Sequence, residues 1–192
     1  MTRKWFTSDL HFKHKNIVSF SKRGVDTTAE EHDAWMQQLW NETVAPGDLV
    51  YHLGDFCFNA KHKVVADILE KLNGQKIMIK GNHCKDDTYH SLLKDGLIVS
   101  YQDYKEVKIG ATKVCLFHYP ISSWNGQGRG SWHLHGHSHG NFQDTKGKML
   151  DVGVDNYYNM YGIHGFFTED QIAMHMGNQA IYVGDHHKII EE

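Results

Sequence analysis

The sequence predicts an α/β fold in which short strands alternate with amphipathic helices. Several runs rich in aromatic and β-branched residues are typical of strands, and residues 28–43 and 61–72 carry apolar side chains at helical spacing. One strand after another ends in glycine or in a polar residue that can bind a metal ion, as at the ligand-binding edge of an α/β sheet. The predicted strands cover residues 4–8, 49–53, 76–80, 112–117 and 148–154.

Length and composition predict a single domain spanning residues 1–192. Of the 192 residues, 40% are hydrophobic and 22% are charged, which suffices for a sizeable core. The net charge of −3 argues against binding to extended duplex nucleic acid. The N-terminus runs into polar residues, no long apolar segment occurs, and the three cysteines form no CxxC pair. We therefore expect a cytoplasmic protein with reduced thiols and no membrane association.

The first predicted strand ends at Asp9-Leu10-His11, which places Asp9 and His11 on one side of the chain. A carboxylate oxygen and an imidazole nitrogen so arranged can bind one cation, and a hydrogen bond within a loop is the alternative. Four basic residues follow or lie near this segment, namely Lys13, Lys15, Lys22 and Arg23. They form either a modest anion-attracting patch or an ordinary solvated helix face.

The predicted helix at 28–43 begins with a capping-box pattern, Thr28-Ala29-Glu30-Glu31, and its Trp and Met stripe is predicted to pack into the core. The strand that follows is almost continuously apolar, which is typical of a buried strand, and it ends at Gly54-Asp55. A carboxylate at this position can bridge two cations. The next two strands end at Gly81-Asn82-His83 and at His118.

The most conspicuous segment is Trp132-His133-Leu134-His135-Gly136-His137-Ser138-His139-Gly140. Alternation of its four histidines predicts imidazoles on one side of an extended segment, and such a row favours metal binding. The preceding glycine-rich loop lacks the strand and helix of a phosphate-binding glycine motif, so we interpret it as a mobile rim loop. Its Arg129 is a candidate phosphate clamp or a solvated side chain, and its Trp124 is a candidate stacking surface.

The C-terminal part predicts a Tyr-rich loop over residues 156–161 and a short helix over 168–176. Asp151 and Asp155 lie near this region, where structural hydrogen bonding is favoured over a direct role in the site.

Five ordered blocks of these residues together resemble the calcineurin-like metallophosphoesterase family, in particular its small stand-alone bacterial and phage branch. The blocks are Asp9-x-His11, Gly54-Asp55, Gly81-Asn82-His83, His118 and Gly136-His137-x-His139. The resemblance implies a four-layer α/β/β/α sandwich of two mixed β-sheets flanked by helices, with a dinuclear metal site at the strand ends. It also implies that one metal is held by Asp9, His11 and His139, the other by Asn82, His118 and His137, with Asp55 bridging both.

The implied activity is hydrolysis of a phosphodiester, with phosphomonoesters as further substrates, by attack of a metal-bound hydroxide on a small or nucleotide-like substrate. His83 resembles the catalytic histidine of the family, which stabilises charge on the phosphate or protonates the leaving oxygen. The sequence departs from the family at Cys84, where an acidic residue is frequent. It also lacks the Asp-Arg pair of the protein-phosphatase branch after Asp55, so we do not expect a phosphoprotein substrate.

The nitrogen and oxygen ligand set favours manganese, with iron, zinc and nickel as alternatives. Two other functions remain open at this stage. A metal-dependent nuclease acting on short or single-stranded nucleic acid would use the same chemistry. A catalytically silent binding scaffold would be expected to have lost ligands, whereas all seven implied ligands are present in this sequence.

Overall fold

The computed structural model describes residues 2–21, 23 and 28–184 and shows two mixed β-sheets flanked by helices. The strands are β1 (Lys4–Thr7), β2 (Leu49–His52), β3 (Gln75–Ile79), β4 (Ser100–Gln102), β5 (Tyr104–Ile109), β6 (Thr112–Phe117), β7 (Trp132–His135), β8 (Met149–Asp151) and β9 (Phe167–Thr168). The α-helices are α1 (Ile17–Phe20), α2 (Ala29–Thr43), α3 (His62–Leu69), α4 (Asp86–Lys94), α5 (Val154–Tyr161) and α6 (Glu169–Gly177). The predicted two-sheet α/β fold is confirmed.

The first sheet has the order β4-β3-β2-β1-β9, and only β9 runs antiparallel to its neighbour. The second sheet has the order β5-β6-β7-β8, in which β5 is antiparallel to β6 and the other pairs are parallel. Because β1, β2 and β3 are parallel, their carboxyl ends lie at the same edge of the first sheet. The carboxyl ends of β6 and β7 share an edge of the second sheet in the same way.

Two apolar clusters hold these layers together. Helices α2, α3 and α4 pack on one face of the first sheet through residues such as Trp40, Leu69 and Leu92. The opposite face of that sheet meets the second sheet and helices α5 and α6, with Phe6 and Leu134 among the fully buried side chains. Burial of this kind stabilises the fold by about 25 cal/mol per Å² of apolar surface.

Local signals account for the helix starts. Thr28 caps α2 and Thr168 caps α6, and both form the reciprocal capping box with the third residue of the helix, as the sequence predicted for Thr28. The predicted Tyr-rich loop at 156–161 is wrong, because these residues belong to α5, where Tyr157 and Tyr161 pack one helical turn apart. The adjoining strand is correspondingly shorter than predicted and ends at Asp151. Sequence patterns also missed α4, β4 and β5.

Among the residues that the structure describes, no helix has the length and hydrophobicity that crossing a membrane requires.

Candidate metal centre

The strand ends bring the predicted ligands together as two neighbouring groups. Asp9, His11 and His139 form the first cluster, and Asp55, His118 and His137 form the second. Within each cluster, one ligand-type atom per residue lies within 4.8 Å of the others. Each cluster combines carboxylate oxygen with imidazole nitrogen from distant parts of the chain, which suits a divalent transition metal ion.

The first cluster is buried and contains polar atoms without partners. Asp9 is fully buried, and its Oδ2 accepts hydrogen bonds from the Ser8 hydroxyl and from the backbone N–H of His137, the latter at 2.9 Å. Asp9 Oδ1 and both ring nitrogens of His11 have no hydrogen-bond partner. Buried polar atoms without a partner are costly in free energy unless a further group satisfies them. The donor set therefore fits a bound cation.

Asn82 links the two histidines of the second cluster. Its Oδ1 lies 3.0 Å from His118 Nε2 and 3.0 Å from His137 Nδ1. The other ring nitrogen of His118, Nδ1, lies 2.7 Å from the carbonyl oxygen of Leu53. A hydrogen bond donated by Nδ1 to this carbonyl leaves Nε2 free to face the cluster, an arrangement typical of histidines that bind metals.

Asp55, a member of the second cluster, also faces the first cluster. Its Oδ2 is 3.5 Å from His118 Nε2 in the second cluster and 3.9 Å from His11 Nε2 in the first. Its other oxygen accepts a hydrogen bond of 2.9 Å from the backbone N–H of His83. Burial acts to raise the pKa of Asp55, but the His118 imidazole and the His83 N–H outweigh it and lower that pKa to about 2. The carboxylate is therefore ionised at neutral pH.

His83 stands at the exposed side of the clusters. Its Nε2 lies 3.9 Å from Asp55 Oδ2, and 30% of its side chain is exposed. The ring packs against Phe58 at a centroid distance of 4.6 Å and against His11 at 5.6 Å. A partly exposed imidazole beside a buried carboxylate can form a hydrogen bond with a ligand at the site.

Burial and charge act differently on the other histidines. Burial lowers the pKa of His11 to about 2, so this ring is neutral at neutral pH. His118 and His139 are also penalised by burial, but nearby carboxylates dominate and raise their pKa values above the ordinary value. Burial raises the pKa of Asp9 to about 6, although His118 and His139 act to lower it. A bound cation would add positive charge beside this carboxylate.

The backbone at the site is unusual. Residues with positive φ and a side chain are uncommon and cost free energy, about 1–3 kcal/mol each, so they tend to occur at functional sites. Five residues of the two clusters adopt this left-handed conformation, namely Asp9, His11, Asp55, His137 and His139, with φ between 50° and 67°. The strands end two to four residues before these positions, so the strained turns place the side chains.

The predicted row of four histidines does not form one face. Strand β7 ends at His135, and the chain then turns, so that His137 and His139 reach different clusters. His133 and His135 are buried behind the site, and their ring nitrogens contact backbone carbonyls instead of joining a cluster. Strict alternation holds only while the backbone stays extended, which explains the difference.

The structure does not bring Arg129 and Trp124 to the clusters. Arg129 lines a cavity of about 290 Å³ with Thr112 and Lys113, at the end of β6 opposite to His118. Trp124 is only 7% exposed, packs against His133, and donates its indole N–H to the carbonyl oxygen of Ser131. A buried indole with a satisfied N–H is part of the core and does not offer a stacking surface.

Two residues next to the site differ from what the sequence predicted for them. Arg23, for which the sequence left open an anion-attracting patch or a solvated helix face, is instead fully buried and paired with Asp155, while Lys22 lies outside the described residues. Asp155 in turn contacts the His139 ring at 2.5 Å, so it touches the site directly. The isolated sequence pattern contains no signal for either contact, because the partners are far apart along the chain.

The fold and the clusters define a class of protein, a two-sheet α/β protein with two adjacent aspartate–histidine clusters at the sheet edges. The family model for calcineurin-like phosphoesterases matches residues 2–188. The chain belongs to this family, and the activity that the family supports is metal-dependent hydrolysis of phosphoesters.

Similar proteins and one solved structure match this chain over most of its length. The uncharacterized protein MJ1445 of Methanocaldococcus jannaschii is 32% identical over 81% of this chain and 83% of its own length. The Gene 66 protein of Mycobacterium phage D29 is 28% identical over 83% of this chain and 92% of its own length. The crystal structure of AQ665, a protein of unknown function from Aquifex aeolicus, shares the fold with a TM-score of 0.68 and 24% identity. It covers 91% of this chain, and this chain covers 99% of it.

Proposed function

We propose that the protein is a dinuclear metal-dependent phosphoesterase that hydrolyses phosphodiester bonds in a small or nucleotide-like substrate, with phosphomonoesters as further substrates. The observation that carries this proposal is the position of Asp55. One ionised carboxylate lies within 4 Å of a histidine from each cluster, at 3.5 Å from His118 and 3.9 Å from His11. A single carboxylate so placed suits a bridge between two cations.

In this proposal the first cation is held by Asp9, His11 and His139, and the second by Asn82, His118 and His137, with Asp55 shared. Two divalent cations, when bound, lower the pKa of water and offset the negative charge of the phosphate. The donors are nitrogen and oxygen without thiolate, and we favour manganese over iron, zinc or nickel.

His83 is the proposed catalytic residue. Its backbone N–H is tied to Asp55, which fixes its position relative to both clusters, while its ring remains partly exposed. An imidazole in this place can donate a proton to the leaving oxygen or a hydrogen bond to a phosphate oxygen. Neither role requires His83 to bind a cation.

Two features support a small, nucleotide-like substrate. The net charge of −3 does not favour a long polyanion, whose binding depends on many phosphate contacts. Tyr119 is 36% exposed, and its ring lies 4.7 Å from the His137 ring, centroid to centroid. This phenol offers an aromatic face beside the second cluster, on which a base or another aromatic group can stack.

The experiment is hydrolysis of a chromogenic phosphodiester and of the matching monoester by protein stripped of metal with a chelator. Mn²⁺, Zn²⁺, Ni²⁺ or Mg²⁺ is then restored singly, and fluorescently labelled single-stranded DNA serves as a third substrate. We expect turnover only after a metal is restored, with the diester cleaved faster than the monoester. Cleavage confined to the DNA would favour a nuclease, and two bound metals without turnover of any substrate would favour a binding scaffold.

A further inference from the structure

Arg23 is a charged side chain that is fully enclosed beside the site. It is 0% exposed, and its guanidinium contacts both carboxylate oxygens of Asp155, with Nε–Oδ1 at 2.9 Å and Nη2–Oδ2 at 2.7 Å. This two-pronged geometry is the strongest form of an arginine–carboxylate contact. A guanidinium that is buried away from solvent is tolerated only when its N–H groups have hydrogen-bond partners. The partners of Arg23 therefore indicate which part of the structure it stabilises.

The remaining contacts of Arg23 point to the first cluster. Nη2 also donates to the carbonyl oxygen of Asp9 at 2.7 Å, and Nη1 donates to that of Leu10 at 2.8 Å. Nη1 further lies 3.3 Å from Nε2 of His32. The same guanidinium therefore contacts Asp155 in α5 and the strained backbone turn that carries Asp9.

Asp155 extends these contacts to His139, the third residue of the first cluster. Its Oδ2 lies 2.5 Å from Nδ1 of His139, and Ser21 donates to the same oxygen at 3.2 Å. With Nδ1 engaged, Nε2 is the His139 ring nitrogen that is not hydrogen-bonded. The His139 and His11 rings stack at 5.2 Å with an interplanar angle of 15°.

We propose that Arg23 and Asp155 are positioning residues for the first cluster: Arg23 fixes Asp155, and Asp155 holds the His139 ring so that Nε2 is available to a cation shared with Asp9 and His11. This inference rests on the proposed function, because it assigns a role toward the cation that the first cluster would hold. A carboxylate that accepts the second N–H of a histidine ligand fixes its tautomer and orientation and raises its basicity.

A purely structural ion pair would have a different signature. Its loss would lower the stability of the whole fold and would affect both cations equally or neither. A positioning pair acts on one cation, because Arg23 and Asp155 contact residues of the first cluster, while the rings of His118 and His137 in the second cluster contact Asn82 and the carbonyl oxygen of Leu53. The two roles are therefore separable by measuring the affinity of each cation.

The experiment is a Mn²⁺ titration of the metal-free protein, monitored by calorimetry and by electron paramagnetic resonance of free Mn²⁺. The variants are Asp155→Asn, which keeps the shape but removes the charge, and Arg23→Lys, which keeps the charge but removes the planar fork. Asp48→Asn is the matched control. Asp48 is also a buried carboxylate, but it accepts bonds from Arg3, Trp5 and Ala45 at the opposite end of the first sheet.

We expect two bound Mn²⁺ in the wild type. Asp155→Asn and Arg23→Lys should weaken one of them by about 10-fold to 100-fold and leave the other within about twofold. Asp48→Asn should leave both unchanged. Two unchanged affinities in Asp155→Asn, or an equal loss of both, would overturn the positioning role while leaving the proposed function intact. A wild type that binds no Mn²⁺ would overturn both.

A measurement on the wild type guards against misfolding of the Asp155 and Arg23 variants. Long-range ¹H–¹⁵N correlation spectra of the Zn²⁺-loaded wild type report the tautomer of each histidine, and a spectrum of His139→Gln serves only to assign the His139 signals. We expect a protonated Nδ1 and an unprotonated, metal-shifted Nε2 in His139. The opposite tautomer would overturn the inference.

Discussion

The backbone N–H of His11 donates to the carbonyl oxygen of Asp55 at 2.9 Å, so the residues after β1 and β2 remain paired beyond the ends of the strands. The adjacent pairs continue this ladder, with Asp9 bonded to Gly54 and Phe12 bonded to Phe56. The two side chains are thereby held side by side, with His11 Nε2 at 3.9 Å from Asp55 Oδ2. Backbone hydrogen bonds therefore help to fix the relative position of His11 and Asp55.

Asp55→Asn should weaken both cations together, because the shared carboxylate loses its charge. We expect each Mn²⁺ affinity to fall about 10-fold or more in calorimetric titration, with a parallel loss of phosphodiester turnover. The control is Asp48→Asn, which removes the same charge from a buried position away from the site. Weakening of a single cation would contradict the bridging role.

His83→Ala should bind both cations normally and lose most turnover. The variant keeps the backbone N–H that donates to Asp55, and only the imidazole is removed. Loss of a proton donor typically lowers kcat by about 100-fold to 10,000-fold. Steady-state kinetics with the phosphodiester, together with metal analysis of the purified variant, test this prediction.

His62→Ala is a suitable control for His83→Ala, since His62 is exposed on α3 and paired with Asp95. It should leave kcat unchanged. Loss of a metal ion in His83→Ala would show that His83 is a ligand and would refute the catalytic assignment.

Gly136→Ala should damage the first cluster. A Cβ atom at this position would collide with the Ser8 hydroxyl and with Oδ2 of Asp9, neither of which has room to move. We expect a loss of about 1–3 kcal/mol in the free energy of unfolding, as for overpacked cores, and weaker Mn²⁺ binding.

Denaturant unfolding and Mn²⁺ titration of Gly136→Ala should be compared with Gly47→Ala, where a Cβ meets nothing within 4 Å. The control should stay within about 0.5 kcal/mol of the wild type. Equal behaviour of the two variants would mean that close approach at Gly136 is unimportant.

His52→Leu should make stability less sensitive to acid. His52 is fully buried, neither ring nitrogen has a hydrogen-bond partner, and burial lowers its pKa to about 3. In the unfolded chain the pKa is about 6.5, so the unfolded state binds more protons between these values. The stability that depends on neutral His52 is therefore present above pH 6.5 and lost as the pH falls toward 3.

The measurement is the free energy of unfolding of both proteins between pH 7 and pH 5. We expect the wild type to lose about 1.4 kcal/mol per pH unit more than His52→Leu below pH 6.5. Parallel curves for the wild type and His52→Leu would contradict the assignment of a neutral buried imidazole.

Much of the fold was predictable because its signals are local. The apolar runs before Asp9, Gly54 and Gly81 correspond to β1, β2 and β3, and the capping box at Thr28 marks the start of α2. The parallel order of these strands then places their polar ends at one edge, which is why residues distant in sequence meet in two clusters. The Tyr-rich helix α5 was missed because its apolar stripe is short and follows a strand directly.

The sequence predicted which residues would form the site, but it did not predict the backbone turns that orient the histidines. Alternation suggested that the four histidines share a face, yet β7 ends at His135 and the left-handed turns at His137 and His139 separate them. Such conformations are disfavoured for residues with a side chain and persist only where the surrounding packing imposes them. The positions of Arg129 and Trp124 likewise depend on how the glycine-rich loop packs against the second sheet.

By itself, the sequence determined the α/β alternation, the ordered ligand-type residues at the strand ends and the family to which these motifs point. Strand length, polarity and the type of metal ligand depend on residues that are adjacent in the sequence, so they can be predicted from the sequence. Only the tertiary structure decided that a buried Arg23 joins Asp9 to Asp155, which lies 132 residues beyond Arg23 in the chain, and that Arg129 and Trp124 lie away from the clusters. Such contacts depend on which elements pack together, and that outcome follows from the energetics of the whole fold.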